Sequence, residues 1–195
     1  MTTQEKIEQL NQIAQEIRNF KGIDIAKNCT HVVPGEGNPD TEILFIGEAP
    51  GRDEDLSGRP FVGLSGRLLR KTITETLGKK PEEVFITNIV KYRPPDNRDP
   101  TPEEIEVCKD WLDRQIEIIS PKIIVTLGRF SMAKFIPDVT ISRVHGIPRK
   151  CQMSNAKWSN IVFPLYHPAA ALRAGIMMKA FLADFIKLKD MLNSN

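Results

Sequence analysis

The chain is poor in cysteine, in long apolar runs and in charge of one sign. Its cysteines, Cys29, Cys108 and Cys151, stand far apart and none belongs to a C-x-x-C pair, so neither a disulfide scaffold nor a metal centre is expected. In a reducing compartment such residues are mostly small buried hydrophobes, the expectation here for at least two of the three. No apolar run reaches the roughly 18 residues of a membrane-spanning helix. The opening MTTQEKIEQLNQIAQEI also lacks a basic region followed by an apolar one, and a cytoplasmic location is the expectation. Lys and Arg number 27 against 25 Asp and Glu, a net charge of +2. That is too mild to demand a polyanionic partner, although a local basic patch fits inside a balanced total. Internal repeats, low-complexity tracts and long linkers are missing as well, so residues 1–195 are expected to form a single domain.

What is present is an ordinary globular composition, 41% hydrophobic and 27% charged over 195 residues, enough for a sizeable core. Four apolar runs bounded by turn residues read as buried parallel strands: EILFIG (42–47), VFITNIV (84–90), KIIVTL (122–127) and IVFPLYH (161–167). Helical patterns lie between them. Ile7, Leu10, Ile13, Ile17 and Phe20 recur at spacings of three and four, one face of an amphipathic helix. TPEEIEVCKDWLDRQIEII starts with Thr101 as N-cap, Pro102 at the first helical position and Glu104 closing a capping box. Its apolar face carries Ile105, Cys108, Trp111, Leu112, Ile116 and Ile119, which puts Cys108 in the core. Alternating strands and helices predict an α/β fold, a three-layer α/β/α sandwich with a central four-stranded parallel sheet.

Ligands of such sheets bind beyond the carboxyl ends of the strands. Three polar segments leave those ends: GEAPGRDED, NIVKYRPPDNRDP and YHPAAALR. The first surrounds one carboxylate, Glu48, with Gly47, Pro50 and Gly51, as though something must approach the backbone closely.

Taken together and in order, GEAPG (47–51), GRPFVGLSG (58–66), TNIVKYRPPDNRDPTPEE (87–104), VTLGR (125–129) and YHPAA (166–170) resemble family 4 uracil-DNA glycosylases, over about Val32 to Arg173. The resemblance implies an α/β/α fold and hydrolysis of the N-glycosidic bond of deoxyuridine in DNA, on a nucleotide flipped out of the helix. It implies Glu48 and His167 as catalytic residues. Glu48 would position or activate water, or stabilise positive charge on the sugar, and His167 would donate to uracil O2 and stabilise the departing base. Gly47 and Ala49 would let the nucleotide approach, Phe61 would stack on uracil, and Glu54 would wall off a thymine methyl. Asn88 would read the base, since its amide matches uracil N3–H and O4 but not the reversed pattern of cytosine. Leu172 would enter the minor groove as a wedge, while Lys91, Arg93, Arg98 and Arg173 would contact phosphates.

Members of that family typically hold an iron–sulfur cluster on four cysteines. The resemblance aligns Phe20, Ile23 and Tyr92 with three of those positions and leaves only Cys108. A cluster needs four ligands, usually thiolates, so none is expected and packing is expected in its place. No other cofactor or metal is implied. The implied partner is DNA containing uracil, with free uracil as product and the protein a monomer. A uracil-DNA binding protein without turnover, or a glycosylase acting on other deaminated bases, stays open at this point.

Overall fold

Every residue of Ile43–Gly47 is buried, and successive side chains of a strand point to opposite faces. Leu44 and Ile46 enter one apolar cluster, Ile43 and Phe45 another, and Ile124 parts from Ile123, Val125 and Leu127 in the same way. Strands apolar on both faces must be covered on both. The computed structural model describes residues 1–151 and 161–194, and there helices flank a sheet on both sides.

The strands are β1 (Glu36–Gly37), β2 (Ile43–Gly47), β3 (Phe85–Asn88), β4 (Ile123–Leu127), β5 (Arg149–Lys150) and β6 (Ile161–Leu165). Among the described residues they form one six-stranded sheet in the order β1-β3-β2-β4-β6-β5. The middle four run parallel, while β1 and β5 pair antiparallel at the edges. The four-stranded parallel sheet expected from the sequence is thus corrected to the centre of a mixed sheet. Its added edges are two-residue strands, EG and RK, too short to leave a periodic signal.

The helices are α1 (Thr3–Asn19), α2 (Asp24–Asn28), α3 (Arg52–Ser57), α4 (Leu64–Thr72), α5 (Pro102–Ile119), α6 (Arg129–Phe135), α7 (Ile141–Val144), α8 (Pro168–Arg173) and α9 (Gly175–Asn193). One face of the sheet carries residues of α1, α2, α5, α6 and α7, the other those of α4, α8 and α9. The capping box of α5 forms as its sequence predicts, with Thr101 Oγ1 accepting from Glu104 N and the Glu104 carboxylate accepting from Thr101 N. Cys108, Trp111, Leu112, Ile116 and Ile119 are buried on its inner face. Helix α1 buries Ile13, Ala14 and Ile17, whereas Ile7, at the start of the expected stripe, is 39% exposed.

Strand β2 is the origin of the sheet. The chain passes from it to β3 on one side and later to β4 on the other, and that reversal of direction opens a crevice at the carboxyl ends of the strands.

Candidate active site

A cleft of about 680 Å³ occupies that crevice. Glu48 enters it from the end of β2, Asn88 from β3, Arg129 from β4, and Tyr166 and His167 from β6, with Phe61 reaching in from the α3–α4 connection. Sites far apart in the chain meet because parallel strands all end on the same side.

The base of the cleft explains Gly47. A Cβ there would lie 2.3 Å from Asn88 Oδ1 and 2.5 Å from Phe61 Cζ, so the glycine admits two side chains of the protein itself. The close visitor expected from the sequence was a nucleotide; at Gly47 it is Asn88 and Phe61. Phe61 adopts φ 53°, a left-handed conformation costly for a bulky residue and concentrated at functional sites. Its loop is held by Glu54, whose Oε1 accepts from Val62 N and Gly63 N at 2.8 Å each and whose Oε2 accepts from Gly51 N at 3.2 Å. Arg70 adds bonds to Phe61 O and Pro60 O. Glu54 lines the cleft, but its carboxylate is committed to these amides, which makes it the anchor of the Phe61 loop. Asn88 is 1% exposed and its Oδ1 has no hydrogen-bond partner. A buried acceptor left unpaired beside an aromatic ring suits a ligand that brings a donor.

His167 is the N-cap of α8, and its Nδ1 accepts from Ala169 N at 3.1 Å. With Nδ1 acting as acceptor, the ring proton sits on Nε2. Burial, aided by the Arg173 charge, lowers its pKa to about 4. The imidazole is therefore neutral near pH 7 and can donate without being charged. Its ring centre lies 5.9 Å from that of Phe61.

Glu48 has the opposite bias. Burial and then the nearby Asp99 charge raise its pKa to about 7, with Arg129 pulling the other way. Arg129 is paired with Asp99 across the cleft wall. A carboxylic acid poised near neutrality in the same cleft as a neutral histidine donor is suited to proton and charge management in a bound molecule.

The match to known proteins is extensive. Residues 34–188 match the family model described as the uracil DNA glycosylase superfamily. The chain is 46% identical over 191 residues to the type-4 uracil-DNA glycosylase of Archaeoglobus fulgidus, covering 95% of this chain and 94% of that protein. This chain belongs to the type-4 uracil-DNA glycosylases. The type-4 enzyme of Sulfurisphaera tokodaii is 45% identical over 190 residues, covering 95% of this chain and 86% of its own. A type-5 enzyme of Thermus thermophilus matches less, 36% over 114 residues, about half of each chain.

As a type-4 member the chain departs from the cluster-bearing pattern as its sequence indicates. Phe20, Ile23, Tyr92 and Cys108 belong to one apolar cluster. Phe20 meets Trp111 edge-on at 5.3 Å, Tyr92 meets Trp111 at 6.3 Å, and Tyr92 Oη donates to Ile17 O at 2.8 Å. Burial raises the Cys108 thiol to about 11, so it is a neutral packing group. One thiol beside a phenyl ring, an isoleucine and a bonded phenol does not fit an iron–sulfur cluster. Cys29 and Cys151 are half-buried, which limits the expected burial to Cys108. Tyr92→Phe leaves the Ile17 carbonyl unpaired in the core and lowers unfolding stability by about 1–3 kcal/mol. Urea denaturation reads that loss, and excision per folded molecule stays at the level of the parent protein.

The remaining residues of the type-4 pattern divide. Ala49 and Arg173 line the cleft, and Leu172 is 47% exposed at its edge. Arg98 lines it too, but both guanidinium amines are held by Glu104 at 2.9 and 2.7 Å. Arg93 faces a neighbouring cavity and donates to Asn97 Oδ1. Lys91 is corrected outright: it is wholly buried, its Nζ bonded to protein oxygens, and burial lowers its pKa to about 7. A lysine in a loop of basic residues reads as surface, and only the packing of α5 against the loop turns this one inward. Arg129 and Asp99 were missed as individual residues. The VTLGR motif contained the signal, since Gly128 at φ 93° turns the chain straight from β4 into the cleft.

Proposed function

We infer that this chain is a DNA-repair glycosylase that hydrolyses the N-glycosidic bond of deoxyuridine in DNA, releasing uracil and leaving an abasic site. The observation that carries the reading is Asn88, its buried Oδ1 unpartnered beside Phe61, in the lining of a cleft that also holds the neutral His167 and the near-neutral Glu48.

Uracil extruded from the duplex stacks on Phe61, an interaction worth about 1–3 kcal/mol. Asn88 Oδ1 accepts from uracil N3–H, a hydrogen that cytosine lacks. As the bond between C1′ and N1 breaks, its electron pair moves onto the base. His167 Nε2–H bonds to O2, where that negative charge accumulates. Water adds to C1′ and loses a proton, and the ionised Glu48 serves the positive side, by drawing on that water or by opposing charge on the sugar. Arg173 and the exposed Leu172 flank the cleft where phosphate and the emptied stack would meet the protein.

A 5′-labelled oligonucleotide with one uracil, incubated with the protein in chelator and treated with hot alkali, is cut at the uracil and not at cytosine or thymine in the same position. Retention of the uracil strand without cutting establishes binding without turnover and overturns the reading. Cutting at other deaminated bases with uracil spared assigns a different range.

A further inference from the structure

Lys91 has no part in that scheme, yet its surroundings are highly organised. Its Nζ lies 2.7 Å from Thr87 Oγ1, 2.7 Å from Gln115 Oε1, 2.8 Å from Asn88 O and 3.4 Å from Pro34 O. The Thr87 hydroxyl donates to Pro34 O at 2.9 Å, and Gln115 Nε2 donates to the same carbonyl at 2.8 Å. The one hydroxyl proton among the partners is thus used elsewhere, and only lone pairs face the amine. In the protonated form its three N–H bonds match the three nearest oxygens.

The position of this hub matters more than its composition. Asn88 presents its backbone carbonyl to Lys91, while its side chain, with the amide oxygen unpaired, lines the cleft. The turn that follows is bonded to the end of β2, Ile89 N to Gly47 O and Val90 N to Glu48 O, both at 3.0 Å, while Lys91 O accepts from Val33 N at 2.9 Å. One buried amine therefore ties the carboxyl end of β3, and through it that of β2, to α5 and to the Val33–Pro34 segment. A buried ammonium is a poor source of stability compared with an apolar side chain of the same volume, so a positional use accounts better for its presence.

We propose that Lys91 is a positioning residue for base recognition, fixing Asn88 from behind so that its amide meets the base at the depth set by Phe61. The proposal rests on the reading of Asn88 as the residue that contacts uracil. Displacement of such a group by a fraction of an ångström is enough to slow a reaction by about tenfold or more.

Lys91→Met, Thr87→Val, Asn88→Ala and the doubles with Asn88→Ala test it by single-turnover excision, DNA binding at several salt concentrations, and thermal unfolding. Lys91→Met lowers the excision rate about tenfold or more with little change in half-saturating DNA concentration. Thr87→Val, which keeps the side-chain volume, moves the rate in the same direction and carries the test where the methionine variant does not fold. In the Asn88→Ala background either change costs less than about twofold further. A full, multiplied loss in that background overturns the proposal, as does a Lys91→Met protein of lower melting temperature and unchanged rate. A salt slope reduced by about one returns Lys91 to the phosphates and also overturns it. Wild-type excision by Asn88→Ala alone removes the role of Asn88 itself, and the proposal with it.

Discussion

Glu48→Gln lowers the single-turnover rate of uracil excision about 10²–10³-fold at pH 8, with DNA binding little changed. Either duty open to Glu48 needs the ionised carboxylate, and its pKa is raised to about 7. The rate of the parent protein therefore climbs as pH rises through about 7, whereas the glutamine variant shows no such limb. Stability moves the other way. The folded pKa stands above the unfolded value of 4.5, so folding favours the protonated form. That contribution is complete below about pH 4.5 and is lost as pH rises through about 7. At pH 8 the glutamine variant is the more stable by about 1–2 kcal/mol, after allowance for solvent in the cleft, and near pH 4 the difference disappears. A pH series of melting temperatures beside the rates separates the two effects. Equal rates for the two proteins would remove Glu48 from the chemistry.

His167→Ala gives a loss of similar size, about 10²–10³-fold, because one preorganised donor to a developing anion is withdrawn. The loss is the same from pH 5.5 to 8. A histidine with a folded pKa of about 4 stays neutral throughout that range and has no titration to contribute. The substitution also removes the cap on Ala169 N, worth about 0.5–2 kcal/mol of stability. His167→Asn keeps a capping oxygen but cannot present a donor where Nε2 stands, so it restores melting temperature without restoring rate. An inflection near pH 6.5 in the parent protein that vanishes in His167→Ala would mean that the charged imidazole acts, against the bond from Ala169 N.

Much of the site is written locally. The turn after β2, the aromatic of GRPFVG, the asparagine ending β3 and the histidine before Pro168 are each marked by short segments at strand ends, and all meet in one cleft. What short segments do not carry is direction. Arg93, Arg98 and Lys91 share one loop and one charge, yet they face a neighbouring cavity, a glutamate fork and the core respectively. Glu54 is similar: an acid among glycines reads as a cleft group, and three backbone amides reached across the loop make it an anchor.

The sequence by itself determined the four central strands, the inner face of α1 and of α5, the cap of α5, the family and the replacement of cluster ligands by packing residues. These follow from periodicity, capping chemistry and motif order, all properties of neighbouring residues. The tertiary structure alone decided that the parallel strands carry antiparallel edges, that Gly47 makes room for Phe61 and Asn88, that Arg129 and Asp99 bias Glu48, and that Lys91 points inward. Each of these depends on distances between segments far apart in the chain. Burial and charge then set the protonation of Glu48 and His167, which no local pattern specifies.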